Sequence, residues 1–147
     1  MILRTVIICN VTTAWEEQAL AAFRRRGAAR TLVVGALARQ TCCVSAPELA
    51  DAVRKRGRRV GIASVYRVLD ELVAASLVQR VDLGDGVTRF ERTERHHHHH
   101  VVCTDCGRVQ PFEDEKLEAA LRRVERETGF AVASHDVLLR GSCRDCA

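Results

Sequence analysis

Cys103-x-x-Cys106 and Cys143-x-x-Cys146 put two thiol pairs at opposite ends of the last third of the chain, with 36 residues between them. At this spacing a tight turn aims two sulfurs at one ion, and tetrahedral zinc takes four such ligands. No other feature constrains the fold as much, because the intervening chain must bring its two ends together. The sequence there suits a return path: a strand near 109–112, a helix over 115–128 closed by Gly129, and an apolar strand at 137–139. Disulfides are the alternative use for the cysteines. Residues 1–11 carry an apolar patch, but Arg4 and Asn10 interrupt it and no convincing cleavage site follows, so a secretory leader is not expected and metal is the better reading. A closed four-thiolate shell is structural.

Directly upstream, residues 96–100 hold five of the six histidines. A histidine run can be an expression tag, but this one is internal and leads into the strand-like Val101-Val102-Cys103. If the run is extended its side chains alternate, so His97 and His99 face one way while His96, His98 and His100 face the other. One short segment then feeds two further sites. Glu118 and His135 are candidate partners for the first, and Glu91 for the second. Taken singly, His135 or Glu118 is more often an ordinary surface or core residue; the neighbouring histidines make them candidates.

With 147 residues, 47% hydrophobic and 29% charged, the composition is that of an ordinary globular protein with one domain or two small ones. Aromatics are only 4%, so the core must be aliphatic, and a very small second domain would gain from a metal or a partner subunit. No run is long enough to span a membrane, and a cytoplasmic protein is expected. The net charge of +4 is weak evidence for a nucleic-acid partner, but its distribution is uneven. Arg24, Arg25, Arg26, Arg30, Arg54, Lys55, Arg56, Arg58 and Arg59 load the first half, whereas Glu113, Asp114, Glu115, Glu118, Glu125 and Glu127 lie in the second. A basic run is also commonly just a solvated face.

The first half contains successive helical signals. Thr13-x-x-Glu16 has capping-box spacing for a helix through Ala19, Leu20 and Phe23 that Gly27 can end; a second helix fits 31–39; Ser45-Ala46-Pro47-Glu48 opens a third, stopped at Gly57. Over 63–73, Val65, Leu69, Leu72 and Val73 form an apolar stripe that leaves Tyr66 and Arg67 outside it. Alternating runs at 77–83 and 87–91, joined by Gly84-Asp85-Gly86, predict a hairpin. This is the order of a winged helix-turn-helix, whose last helix enters the major groove. Arg67 then suits guanine through its bidentate fork, Tyr66 suits phosphate or a thymine methyl, and Ser64, Arg30, Arg80 and Arg89 are further DNA-binding candidates. The bland alternative is an exposed Tyr-Arg pair with nothing to bind.

Gly61-Ile62-Ala63-Ser64-Val65-Tyr66-Arg67-Val68-Leu69, the run from His96 to Gly107 and Cys143-x-x-Cys146 together resemble the ferric uptake regulator family of metal-dependent bacterial repressors, from about Gly27 onward. The resemblance implies an α+β protein, with a winged-helix DNA-binding domain at 1–92 and a small α/β dimerisation domain at 93–147. It implies a homodimer that grips a double-stranded DNA operator when metal-loaded, with no membrane and no small organic substrate. It implies structural Zn2+ on Cys103, Cys106, Cys143 and Cys146, a dimerisation-domain metal site on His97, His99, Glu118 and His135, and a regulatory hinge site on Glu91, His98 and His100 with one ligand from the DNA-binding domain. That fourth ligand is expected to be Cys43.

The chain departs from the family pattern in places that bear on the metal. Cys43, beside Cys42, stands where iron-type members usually have histidine; His99 replaces an aspartate common in the run, as in zinc-type members; and Pro111 replaces a carboxylate. Sulfur and imidazole favour zinc by softness, but Glu91 is an iron-type feature and the cysteine that zinc-type members carry before the histidines is absent. The regulatory cofactor is therefore expected to be Zn2+ or Fe2+, controlling metal uptake or homeostasis genes. Two rival readings compete: a zinc hydrolase with His97, His99 and His135 as ligands and Glu118 as base, and a metal store or chaperone.

Overall fold

The computed structural model describes residues 14–25, 27–93 and 98–147; Thr13, Arg26, His96 and His97 fall outside that set. The chain divides into two units, 1–95 and 96–147.

In the first unit, α1 (14–21) is followed by α2 (Ala28–Ala38), β1 (Val44–Ser45), α3 (Ala46–Arg54), α4 (Ile62–Ala74), β2 (Val78–Asp82) and β3 (Thr88–Arg92). The core is aliphatic apart from Trp15, Phe23 and Phe90, and it draws Val33, Leu37, Leu49, Val65, Leu69 and Leu72 from the helices. Ser45 and Glu48 form the reciprocal cap that the sequence predicts: Glu48 N–H donates to Ser45 Oγ at 3.4 Å and Ser45 N–H donates to Glu48 Oε2 at 2.8 Å, with Pro47 in the first turn. α3 ends at Arg54, earlier than Gly57, and α2 starts at Ala28, earlier than residue 31. On α4 the buried stripe is Val65, Val68, Leu69 and Leu72, so Tyr66 and Arg67 project from another face.

The hairpin is present, but its sheet has three strands, in the order β1-β3-β2, because the two-residue β1 pairs antiparallel with β3. β3 is therefore a central strand, and Arg89, Phe90, Glu91 and Arg92 are all buried. The Arg92 guanidinium lies 5.2 Å from the centre of the Trp15 ring, a cation–π contact that ties α1 to the end of β3.

The second unit is built on β4 (His99–Cys103), flanked by β5 (Val109–Phe112) running antiparallel and β6 (Leu138–Gly141) running parallel. A parallel neighbour requires a crossover, supplied here by α5 (Glu115–Thr128). Asp114 caps its start by accepting from the N–H groups of Lys116 and Leu117, and Gly129 ends it with φ of 73°, a conformation that suits glycine. α5 buries none of its residues, and the described residues of this unit that are fully buried are His99, Val102 and Cys103. No described helix is long and apolar enough to cross a membrane.

Candidate metal centres and nucleic-acid interface

β4 ends at Cys103 and turns through Thr104 to Cys106. The Gly107 N–H donates to Cys103 O at 2.9 Å, and Gly107 adopts φ of 72° to close the turn. β6 leads into the second turn, where the Cys146 N–H donates to Cys143 O at 2.9 Å. The two turns are joined by Thr104 N–H to Gly141 O at 3.0 Å and by Cys143 N–H to Cys103 Sγ at 3.3 Å. All four sulfurs lie within 4.8 Å of one another, with Cys106 and Cys143 at 3.9 Å. Backbone N–H groups of Cys106 and Cys143 pull the Cys103 thiol down to about 6, while the Cys143 and Cys106 side chains push Cys146 up to about 12. Four thiols converging in this way, one of them readily ionised, match the donor set of a closed tetrahedral zinc shell. Arg108 and Asp145, one from each turn, pair at 2.6 Å across the rim.

A second donor set lies at the other end of β4. His99 is 1% exposed, and its Nε2 is 2.7 Å from Glu118 Oε1 on α5; His135 Nε2, on the loop before β6, is 3.3 Å from the same carboxylate. The His99 ring also packs against Phe112 at 5.4 Å. Two imidazoles and a carboxylate within 4.8 Å of one another suit a divalent ion of borderline softness. His97, the fourth residue expected here, lies outside the described residues.

His98 and His100 share the other side of the strand, their rings 5.0 Å apart in an edge-to-face arrangement. In the first unit, Cys42 Sγ and a Glu91 carboxylate oxygen lie within 4.8 Å of one another, and Cys43 Sγ is 3.8 Å from Cys42 Sγ. Cys43 is the expected ligand, and its neighbour Cys42 also brings a sulfur up to Glu91. The contact with the neighbouring Cys42 and burial push the Cys43 thiol far above the usual thiol range.

Of the DNA-binding candidates, Tyr66 is 39% exposed and rests edge-on against Phe90 at 6.4 Å, and Arg67 reaches back to Ala63 O and Ser64 Oγ at 3.4 Å each. Arg80 pairs with Asp70 at 2.7 Å and Arg30 with Glu71 at 2.8 Å, both pairs at the surface. For Arg89 the structure corrects the expectation. Its side chain is 8% exposed and its two guanidinium nitrogens grip Asp85 at 2.8 Å each, so it fastens the hairpin turn from inside instead of facing phosphate. Neither that pair nor the role of Cys42 has a periodic signal in the sequence.

The Ferric uptake regulator family profile matches residues 25–140. The ferric uptake regulation protein of Escherichia coli (strain K12) is 37% identical over 102 residues, covering 69% of each chain. The zinc uptake regulation protein of Mycobacterium tuberculosis (strain ATCC 25618 / H37Rv) is likewise 37% identical over 102 residues, or 69% of this chain and 78% of that protein. Among solved structures, the Vibrio cholerae ferric uptake regulator superposes with a TM-score of 0.75 at 32% identity, covering 86% of this chain and 98% of that one. With its winged helix-turn-helix and metal-donor sets, the chain belongs to the ferric uptake regulator family.

Proposed function

We propose that the protein is a metal-responsive transcriptional repressor that binds a double-stranded DNA operator as a homodimer, with zinc or iron(II) as co-repressor and zinc as the structural ion. One observation carries the reading: a single strand, β4, and the residue before it supply side chains to three donor sets. His99 meets Glu118 and His135, His98 and His100 pair with each other, and Cys103 joins the four-thiol set. A store needs no such sorting, whereas a sensor needs a closed structural site kept apart from exchangeable ones.

In this reading His98 and His100 join Glu91 and a sulfur from the Cys42-Cys43 pair in the regulatory site. A bound divalent cation supplies the positive charge and fixed coordination that hold these donors together. Before loading, the two units reorient and few molecules present a competent pair of recognition helices; a ligand favours the competent form only by binding it more tightly. The dimer is supported by α5, which is amphipathic yet buries no residue, and by Phe130 and Leu139 at 74% and 50% exposure. At the operator, Arg67 and Tyr66 read bases while exposed arginines of the first unit meet phosphates.

The hydrolase alternative requires Glu118 to stand back as a base. Its carboxylate instead lies between the two imidazoles, 2.7 Å and 3.3 Å from their Nε2 atoms, in the position of a third ligand. The test is operator selection and binding with chelator-stripped protein, titrated separately with zinc and iron(II) at fixed salt. Metal-enhanced affinity for selected DNA is expected. Equal affinity with and without both metals rejects the repressor reading and favours a store.

A further inference from the structure

The Cys42-Cys43 pair has features beyond supplying one sulfur donor to the regulatory site. Both residues are thiols, not a disulfide, and their Sγ atoms are 3.8 Å apart. Consecutive side chains on a strand point to opposite faces. These two lie instead on the irregular segment between α2 and β1, and both line one cavity of about 290 Å3, together with Gln40, Thr41, Glu48 and Lys55. Cys42 is partly exposed and Cys43 is buried behind it. An incoming reagent therefore meets one thiol and finds the second within reach.

We propose that Cys42 and Cys43 form a dithiol site for a trivalent arsenic oxyacid. Each thiol condenses with one As–OH group: an S–As bond forms, an As–O bond breaks, and the hydroxide leaves with the thiol proton as water. Two such steps release two waters, arsenic stays trivalent, and no oxidant or reductant is needed. A pyramidal, thiophilic element bonds to two sulfurs on one side, which this pair offers, whereas a tetrahedral ion needs donors that the pair alone lacks. The regulatory consequence rests on the functional reading above. If one of these sulfurs is a ligand of the co-repressor site, capping the pair removes it and weakens metal-enhanced operator binding.

The test treats the full-length protein, supplied with one equivalent of zinc per chain for the four-cysteine site and no more, with phenylarsine oxide, followed by intact mass measurement and peptide mapping. One phenylarsenic adduct per chain is expected on the peptide carrying Cys42 and Cys43, surviving excess glutathione and released by dithiothreitol. Cys42→Ser and Cys43→Ser should each lose it while keeping the far-ultraviolet helix signal. An adduct confined to Cys9 or to the four cysteines of the second unit, or one that glutathione removes, overturns the proposal, and wild-type mapping alone decides this even if a variant misfolds. Operator binding separates the two ideas. Metal-dependent binding without the adduct rejects the dithiol site and leaves the repressor reading standing; the adduct without metal-dependent binding does the reverse.

Discussion

Glu118 Oε1 stands 2.7 Å from His99 Nε2, a contact that joins α5 to the central strand of the second unit. The same carboxylate holds His135, so it organises the donor set before any ion arrives. Glu118→Gln keeps the shape and removes the charge. We expect it to lower affinity for a divalent ion at this site by ~10- to 100-fold, measured by competition with a chromogenic chelator. It should also cost about 1 kcal/mol of metal-free stability through the weakened hydrogen bonds. Unchanged affinity would remove Glu118 from the ligand set.

The four-cysteine site is expected to hold the second unit together. With His99, Val102 and Cys103 as its fully buried described residues, that unit has little apolar burial to offset chain entropy. Structural zinc contributes on the order of 10 kcal/mol in comparably small domains at neutral pH. Cys146→Ser, or exhaustive chelation, should melt α5 while leaving the helices of the first unit folded. Hydrogen exchange followed separately in the two units checks this, and protection of α5 that survives zinc removal contradicts it.

A pH dependence of the metal-free protein follows from Cys103. Its thiol is held down at about 6 by backbone donors, against an ordinary value of 9.0. Because the folded value is the lower one, the stabilisation is complete above the ordinary thiol range and is lost as pH falls through about 6. Thiolate ultraviolet absorbance of the metal-free protein should show a step near that pH which Cys103→Ser abolishes. Zinc uptake in mild acid should weaken with it, since a thiol binds only once deprotonated.

The parts of the site that could be read from the sequence obey fixed spacings. Two C-x-x-C turns announce four ligands whatever lies between them, and the period of two in a strand separates His99 from His98 and His100. The rest depends on tertiary pairing. β1 is two residues long and shows no period, yet its pairing with β3 turns an apparent edge strand into a central one. That is why Arg89 and Glu91 are buried although an alternating hairpin would expose one face. Similarly, the irregular backbone before β1 decides that Cys42 Sγ comes within 4.8 Å of a Glu91 carboxylate oxygen, and no periodic rule covers such a segment.

The buried Arg89 leads to a prediction about the wing. Its fork grips Asp85 and, with the Val87 N–H, holds that carboxyl down to about 2. The contribution is present above the ordinary aspartate range near 3.8 and is lost as pH falls through about 2. Arg89→Lys keeps the charge but loses the fork. We expect it to lower the melting temperature and to raise amide exchange at residues 84–87, with little change in the salt dependence of DNA binding. A reduced salt slope would instead mean that Arg89 neutralises a phosphate.

Arg67 is the sharpest test of the recognition helix. It projects from the face of α4 opposite the buried Val65, Leu69 and Leu72, and the two hydrogen bonds it makes back to its own helix are long, at 3.4 Å each. These are weak enough to exchange for a base edge. Arg67→Ala should therefore leave folding intact, because no core contact is lost. It should weaken operator binding by about 1–3 kcal/mol and relax base preference at one position of each half-site. Arg67→Lys should restore the charge without the bidentate fork, recovering non-specific affinity but not the base preference. Binding of the wild type and both variants to a selected operator and to single-base substitutions of it, at one salt concentration, distinguishes these outcomes. If Arg67→Ala weakens binding uniformly across all sequences, Arg67 is a phosphate contact and the reading head must lie elsewhere on α4.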